Sequence, residues 1–182
     1  MTQITAETKE ELRSRFPQFV EATKAFYAKE LPPGKYKGTS GKFGSYGERG
    51  ANSSMLRLRF SGGAIGQAHI AFLKEALEKY NVDLVHFTTG EALQIHHLDE
   101  QSVLDLYQDC FDHGIYCAGG GGDNPRNITA SPLHGIAPGE YFNMTPYIKA
   151  AASFVINLIP KFNLPRKYKI SFSSGRDAGK AD

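Results

Sequence analysis

Tryptophan is absent from the 182 residues, cysteine occurs twice, and no apolar run is long enough to cross a bilayer. The greasiest stretch, Ala150 to Ile156, is closed by Lys149 and Asn157, far short of the ~20 residues that a spanning helix needs. The first eleven residues carry charge and threonine where a secretory leader needs an apolar segment, so a cytoplasmic protein with no membrane partner is expected. Cys110 and Cys117 have six residues between them, which matches no zinc or redox spacing, and two thiols cannot supply a four-cysteine cluster. They read as buried or bystander thiols, and no metal-ligand set is recognisable. Gly-x-x-x-x-Gly-Lys-Ser/Thr is missing and no Gly-x-Gly-x-x-Gly opens a helix after a strand, which removes the usual nucleotide loops. Without a recognised binding motif or a strongly basic domain, a nucleic-acid partner is not expected.

What is present is a globular composition, 41% apolar and 22% charged with twelve Phe and nine Tyr, enough for one domain or one and a half. The net charge of +2 conceals a segregation. Between Gly34 and Arg59, Lys35, Lys37, Lys42, Arg49, Arg57 and Arg59 face a single acid, Glu48. From Ala64 to His113 two lysines meet nine carboxylates, and from Lys161 to Asp182 six basic residues meet Asp177 and Asp182. If the fold joins the two basic flanks, they form a surface for an anion. The alternative is a set of separate solvated faces.

Thr8 followed by Glu11 reads as a capping box, and Pro17 as a stop or as the first turn of a second helix reaching Tyr27. Leu31 to Ser54 has no sustained period and reads as an extended, looping arm. Met55-Leu-Arg-Leu-Arg-Phe60 alternates, so a strand places Met55, Arg57 and Arg59 on one face and Leu56, Leu58 and Phe60 on the other. Ile70, Leu73, Leu77 and Tyr80 follow at helical spacing, then two short strands (Val82 to Thr88, Leu93 to His97) and a second amphipathic helix through Val103, Tyr107, Cys110 and Phe111. The order strand, helix, strand, strand, helix is that of a ferredoxin-like α+β half-domain.

Gly119 to Gly122 reads as a flexible connector into a new segment. There Thr145-Pro146 is expected to cap a helix from Tyr147 to Ile159 that is apolar nearly all round, and Ile170 to Ser173 reads as a strand. His96 and His97 are neighbours on a strand, expected to face opposite ways and so unable to chelate one ion. Lys167 and Lys169 flank Tyr168 on an extended segment, so both ammoniums project to one side. Arg57, Arg59 and Arg126 can converge with them on a multiply carboxylated ligand or an oxyanion.

Four motifs occur in order: Met55-Leu-Arg-Leu-Arg before Gly62-Gly63, Thr88-Thr89 running to Leu93-Gln-Ile-His96, Gly122-Asp-Asn-Pro-Arg-Asn-Ile-Thr129, and Leu164-Pro-Arg-Lys-Tyr-Lys169. Over roughly residues 40 to 182 the chain resembles the amino-terminal half of the nitrite and sulfite reductases that use sirohaem and a 4Fe-4S cluster. The resemblance implies a helical lead and arm over 1–50, a ferredoxin-like half-domain over 51–117, and over 118–182 the beginning of an α/β sirohaem-binding domain.

It implies further that Arg57, Arg126, Lys167 and Lys169 face the distal side of the sirohaem, hold the oxyanion and deliver protons during its six-electron reduction. Gln94, His96 and Asn127 match positions near the cofactor. The cluster cysteines of the family lie in a second repeat, as C-x5-C and C-x3-C, and neither pattern occurs here. A second repeat, on this chain or a partner, and an electron donor are therefore expected. The 182 residues look like a fragment or truncated homologue, inactive alone, or like a non-catalytic half-reductase that binds a tetrapyrrole or an anion. Where the family has Thr-Thr-Arg-Gln, with its arginine on a sirohaem carboxylate, this chain reads Thr88-Thr-Gly90-Glu91. The family cysteine after Asn-x-Thr is replaced by the stretch holding Ala130 and Ser131.

Overall fold

The alternation of leucine with arginine after Ser54 sets the architecture, because a strand with that pattern buries one face and leaves cations on the other. A computed structural model describes residues 2–49, 52–161 and 164–175. In it β2 (Ser54–Arg59) lies inside an antiparallel four-stranded sheet of order β1-β2-β4-β3, with β1 Ser45–Gly47, β3 Val85–Phe87 and β4 Ala92–Leu98. Leu56 and Leu58 are fully buried beside Leu93 and Ile95 in one core. Helices α4 (Gln67–Lys79) and α5 (Glu100–Asp112) close that core with Phe72, Leu73 and Ala76 from one and Val103, Leu106, Tyr107 and Cys110 from the other. Each fully buried Leu or Ile there contributes ~1.5–3 kcal/mol of transfer free energy. The order β2-α4-β3-β4-α5 is the α+β half-domain that the periodicities imply.

Ile70 departs from expectation. It is exposed, and Phe72 and Ala76 take the inward positions of α4. The pairing of β4 with β2 also slips, Ser54 facing Leu98 while Leu56 faces Ile95, so β4 carries one extra residue. His97 sits in this bulge with φ 57°, and simple alternation of His96 and His97 does not hold.

The amino-terminal lead consists of α1 (Ala6–Ser14) and α2 (Phe16–Tyr27), with Pro17 in the first turn of α2. The cap of α1 is Thr5, whose hydroxyl accepts from Thr8 N, so Thr8 is inside the helix rather than at its start. The expected looping arm is instead α3 (Pro33–Ser40), a 3-10 turn and β1. Its sequence lacks an apolar stripe. What holds it is Tyr36, fully buried, stacked 4.2 Å from Phe26 and hydrogen-bonded to Thr23. The lead touches two cores: Phe19 packs in the sheet core, and Leu12 joins Phe111, Tyr116, Ala118, Ile156 and Ile159 in another.

Beyond α5 the chain forms β5 (Pro125–Ala130), α6 (Thr145–Leu158) and β6 (Tyr168–Phe172), with β5 and β6 parallel. Ile128, Met144, Ile148, Ala152 and Val155 make a third core. Helix α6 is amphipathic in place, not buried on most sides: Tyr147 and Phe154 are 59% and 67% exposed. Its cap residue is Met144, and Thr145 N donates to Asn143 Oδ1. The basic tail from Arg176 onward lies outside the described residues. Among the described residues no helix is long and apolar enough to cross a membrane.

Candidate functional site

The glycine run forms no flexible connector. Residues Ala118 to Gly121 are buried and Gly122 is half-buried, and their backbone crosses the polar face of the sheet, with Gly120 O on Arg57. A Cβ on Gly121 would sit 2.0 Å from the Tyr46 hydroxyl and 2.6 Å from Gly41 O, and one on Gly120 would lie 2.9 Å from Cys117 O. Only glycine allows the crossing to lie this close. Gly119 N donates to Lys42 O, and Gly122 N to the Tyr46 hydroxyl, which ties the crossing to the lead and β1.

That close approach places one carbonyl between two cations. Arg57 Nη1 and Arg126 Nη1 both donate to Gly120 O, at 2.8 and 2.9 Å. Behind them the half-buried Arg59 donates to Ala118 O and Arg126 O at 3.0 and 2.9 Å. Burial, with the charge of Arg126, pulls its pKa down to about 10. Burial also lowers that of Arg57, with Arg126 adding to the fall and Tyr46 opposing it. Among the described residues no carboxylate pairs with any of the three arginines. Arg57 Nε is buried with no partner. Cations grouped out of water without a counter-charge are costly unless an anion joins them.

The cavity beside this cluster, about 590 Å³, is lined by Arg57, Arg59, Arg126, Asn127, Lys167 and Lys169, with the Thr88–Ala92 hairpin opposite. The two basic flanks of the sequence therefore meet. Asn127 Nδ2 reaches the carbonyls of Phe60, Gly90 and Glu91, pinning the hairpin to β2, while its Oδ1 is buried without a partner. Glu91, with φ 53°, accepts from Ala130 N through both carboxylate oxygens at 3.1 and 3.0 Å. Burial raises its pKa, against the lowering by that hydrogen bond and by His134. Gly90 borders open space, with only Thr88 Oγ1 within 4 Å of a built Cβ, at 3.7 Å.

Five of the seven residues singled out from the sequence thus share one cavity: Arg57, Arg126, Asn127, Lys167 and Lys169. Gln94 and His96 do not line it. Gln94 is opposite Arg57 and His86 across the strands, and its Oε1 is 3.1 Å from His86 Nδ1. His96 Nδ1 is 2.7 Å from Glu48 Oε1, and its Nε2 is buried without a partner. Glu48 also accepts from His97 N and Ser53 Oγ. Burial opposes ionisation of Glu48, but these bonds outweigh it and hold its pKa low. Sequence reasoning missed the Gly120 carbonyl and the place of Glu91 in the cavity. The former has no side-chain signal, and the latter requires the hairpin to fold back onto β5.

Two family descriptions match adjoining parts of the chain. "Nitrite/Sulfite reductase ferredoxin-like half domain" covers residues 46–110, and "Nitrite and sulphite reductase 4Fe-4S domain" covers residues 121–180. Among curated relatives, a ferredoxin-nitrite reductase of Leptolyngbya laminosa is 31% identical over 128 residues, 68% of this chain and 25% of the relative. A "Sulfite reductase (ferredoxin)" of Mycobacterium tuberculosis H37Rv is 28% identical over 123 residues, 68% of this chain and 22% of the relative. The solved NirA protein of M. tuberculosis superposes with a TM-score of 0.69 at 24% identity, over 86% of this chain and 33% of that one. The chain thus spans about a quarter of the length of these curated relatives.

Proposed function

Because the chain belongs to the nitrite and sulfite reductase family, we propose that it supplies the cationic, oxyanion-facing and sirohaem-facing residues of such a reductase. The observation that carries this reading is the convergence of Arg57, Arg126, Lys167 and Lys169, from three separate segments, on one cavity. The oxyanion is of the sulfite or nitrite class.

The residues present fit the carboxylate-bearing rim of a tetrapyrrole. Among the described residues three arginines lack an acidic partner, Arg57 Nε is a buried donor without an acceptor, and two lysines line the same cavity. When bound, sirohaem supplies the iron and the route for electrons to the oxyanion. Arg57 and Arg126 are held by Gly120 O, so their remaining N–H groups are fixed before an anion arrives and orient its oxygens at little entropic cost. Reduction turns anion oxygens into water, which consumes protons. An ammonium can release one where a guanidinium retains it, so Lys167 Nζ and Lys169 Nζ serve as the proton donors and Arg57 and Arg126 as the clamp.

The residues present do not fit a 4Fe-4S cluster. Both cysteines are buried in the sheet core, where burial, reinforced by Cys117 alongside, drives the Cys110 thiol pKa upward. A 4Fe-4S cluster needs four thiolates and this chain has two buried thiols, so its ligands, with the electron donor's surface, would come from residues outside this chain.

Titration of the purified chain with sirohaem, followed by absorbance, tests the reading. Saturable binding is expected, weakened about tenfold or more in Arg126→Ala, the cost of one charge-assisted contact. Binding that never saturates, or that Arg126→Ala leaves unchanged, overturns it. After reconstitution with iron, sulfide and sirohaem no methyl-viologen turnover is expected from the chain alone, and turnover with a stoichiometric cluster contradicts the assignment of the cluster to other residues.

A further inference from the structure

A second and larger cavity, about 1020 Å³, opens on the far side of the arginine pair. One wall is the lead, through Arg15, Gly34, Lys37, Gly38 and Lys42, and the other is the glycine crossing with Gly122, Asp123 and Asn124. Arg57 and Arg126 line both cavities. Residues 1–45 of the lead lie outside the two family matches.

Its charge is one-sided. Arg15 is engaged by Glu11 and Pro160 O, and Lys161 by Glu7. Lys37, Lys42, Arg57 and Arg126 make no ion pair among the described residues, and Asp123 is the one carboxylate in the lining. Gly34 and Gly38, on the first turns of α3, have nothing within 4 Å of a built Cβ, so a small ligand can approach that backbone between the lysines. Concave walls with uncompensated cations raise the local concentration of anions.

We propose that the amino-terminal lead builds a vestibule in which a small inorganic oxyanion is captured by Lys37 and Lys42 beside the outer edges of Arg57 and Arg126. The vestibule shares those two arginines with the inner cavity and deepens the function proposed above, on which it rests for the identity of the substrate class. The outer cationic cavity governs capture, hence association rate and affinity, whereas the inner cavity lined by Lys167 and Lys169 governs proton supply.

Nitrogen-15 NMR of the 182-residue chain titrated with sulfate tests this. The amides of Gly38, Lys42 and Gly122 are expected to shift saturably, with affinity that falls as sodium chloride is added. Lys37→Ala/Lys42→Ala weakens the response at these amides about tenfold, and Lys37→Gln/Lys42→Gln, which retains the side-chain length, does the same. Lys35→Ala, an exposed change on the same helix but outside the cleft, leaves it intact. Asp123→Asn strengthens it. Absent shifts at Gly38, Lys42 and Gly122, or shifts equal in wild type and both double variants, overturn the proposal.

The amides of Thr89, Gly90 and Thr129 report the inner cavity, and Lys167→Ala/Lys169→Ala is the matching variant. An outer response without an inner one sinks the functional reading and keeps the vestibule. An inner response alone does the reverse.

Discussion

Arg57 and Arg126, like-charged and sixty-nine positions apart, donate to the same Gly120 carbonyl oxygen. Two guanidiniums held this close repel each other in the absence of an anion, so the protein maintains them through the buried backbone of the glycine crossing. Gly120→Ala tests that dependence. The new Cβ would meet Cys117 O at 2.9 Å, Arg57 O at 3.2 Å and Gly44 Cα at 3.3 Å, all backbone, so the crossing must move. We expect a loss of about 1–3 kcal/mol in a denaturant melt, and a loss of sulfate affinity larger than that of any substitution away from the two cavities. Full retention of affinity in a folded variant contradicts the shared-carbonyl arrangement.

Glu91 gives the inner cavity a pH dependence. Its pKa is raised above 4.5 by burial, so the folded state keeps its proton to higher pH than the unfolded chain does. The stability this contributes is present below the unfolded value and lost as pH rises through the folded value. The carboxylate formed there opposes an anion. Sulfate keeps its charge across this range, so its affinity is expected to strengthen as pH falls through the raised pKa. Glu91→Gln removes the dependence and, at pH ~7, raises affinity about fivefold for a unit charge several ångströms away in a partly hydrated site. A pH profile identical in wild type and Glu91→Gln by calorimetry counts against this role.

The elements that could be read from the sequence are those whose period is set by a sheet or helix with one buried face. In β2 the Leu56/Leu58 and Arg57/Arg59 alternation specifies both core and site, because the same pleat serves each. Helix α3 was illegible for the opposite reason: glycines at 34 and 38 leave no stripe, and Tyr36 is held by Phe26 and Thr23 of the preceding helix rather than by a periodic face of its own. The glycine run misleads for a related cause. A missing Cβ permits either mobility or close packing, and only the positions of Tyr46, Gly41 and Cys117 select the second. Motif resemblance singled out all seven candidate residues, yet Gln94 and His96 do not line the cavity: Gln94 Oε1 is engaged by His86 and His96 Nδ1 by Glu48.

Glu48 governs behaviour in acid. Its pKa is held below 4.5 because the bonds from His96, His97 N and Ser53 outweigh its burial. A depressed folded value contributes stability that is present above the unfolded pKa and lost as pH falls through the folded one. Wild type is therefore expected to lose stability more steeply than Glu48→Gln as pH falls below the unfolded value of 4.5 and through the lowered folded one. At neutral pH Glu48→Ala, which strands the two histidines' donors, costs about 2 kcal/mol. Parallel acid limbs for wild type and Glu48→Gln in thermal melts would rule this out.

The inner cavity also shows where a cation is missing. Resemblance to the reductases places an arginine at the position of Gly90, and the structure gives no steric reason for glycine there: its φ is not positive and its surroundings are open. Gly90→Arg is thus expected to fold with little change in melting temperature. Alone, the new guanidinium has Glu91 as a neighbour competing for it. Combined with Glu91→Gln it faces the cavity without that competitor, and the pair restores the Thr-Thr-Arg-Gln pattern. The double variant is expected to bind sirohaem about ten- to a hundredfold more tightly than wild type, the return from one charge-assisted contact to a carboxylate, while Gly90→Arg alone gains less. Equal affinity in wild type and double variant, by absorbance titration, would mean that the tetrapyrrole carboxylates do not reach the Thr88–Ala92 hairpin.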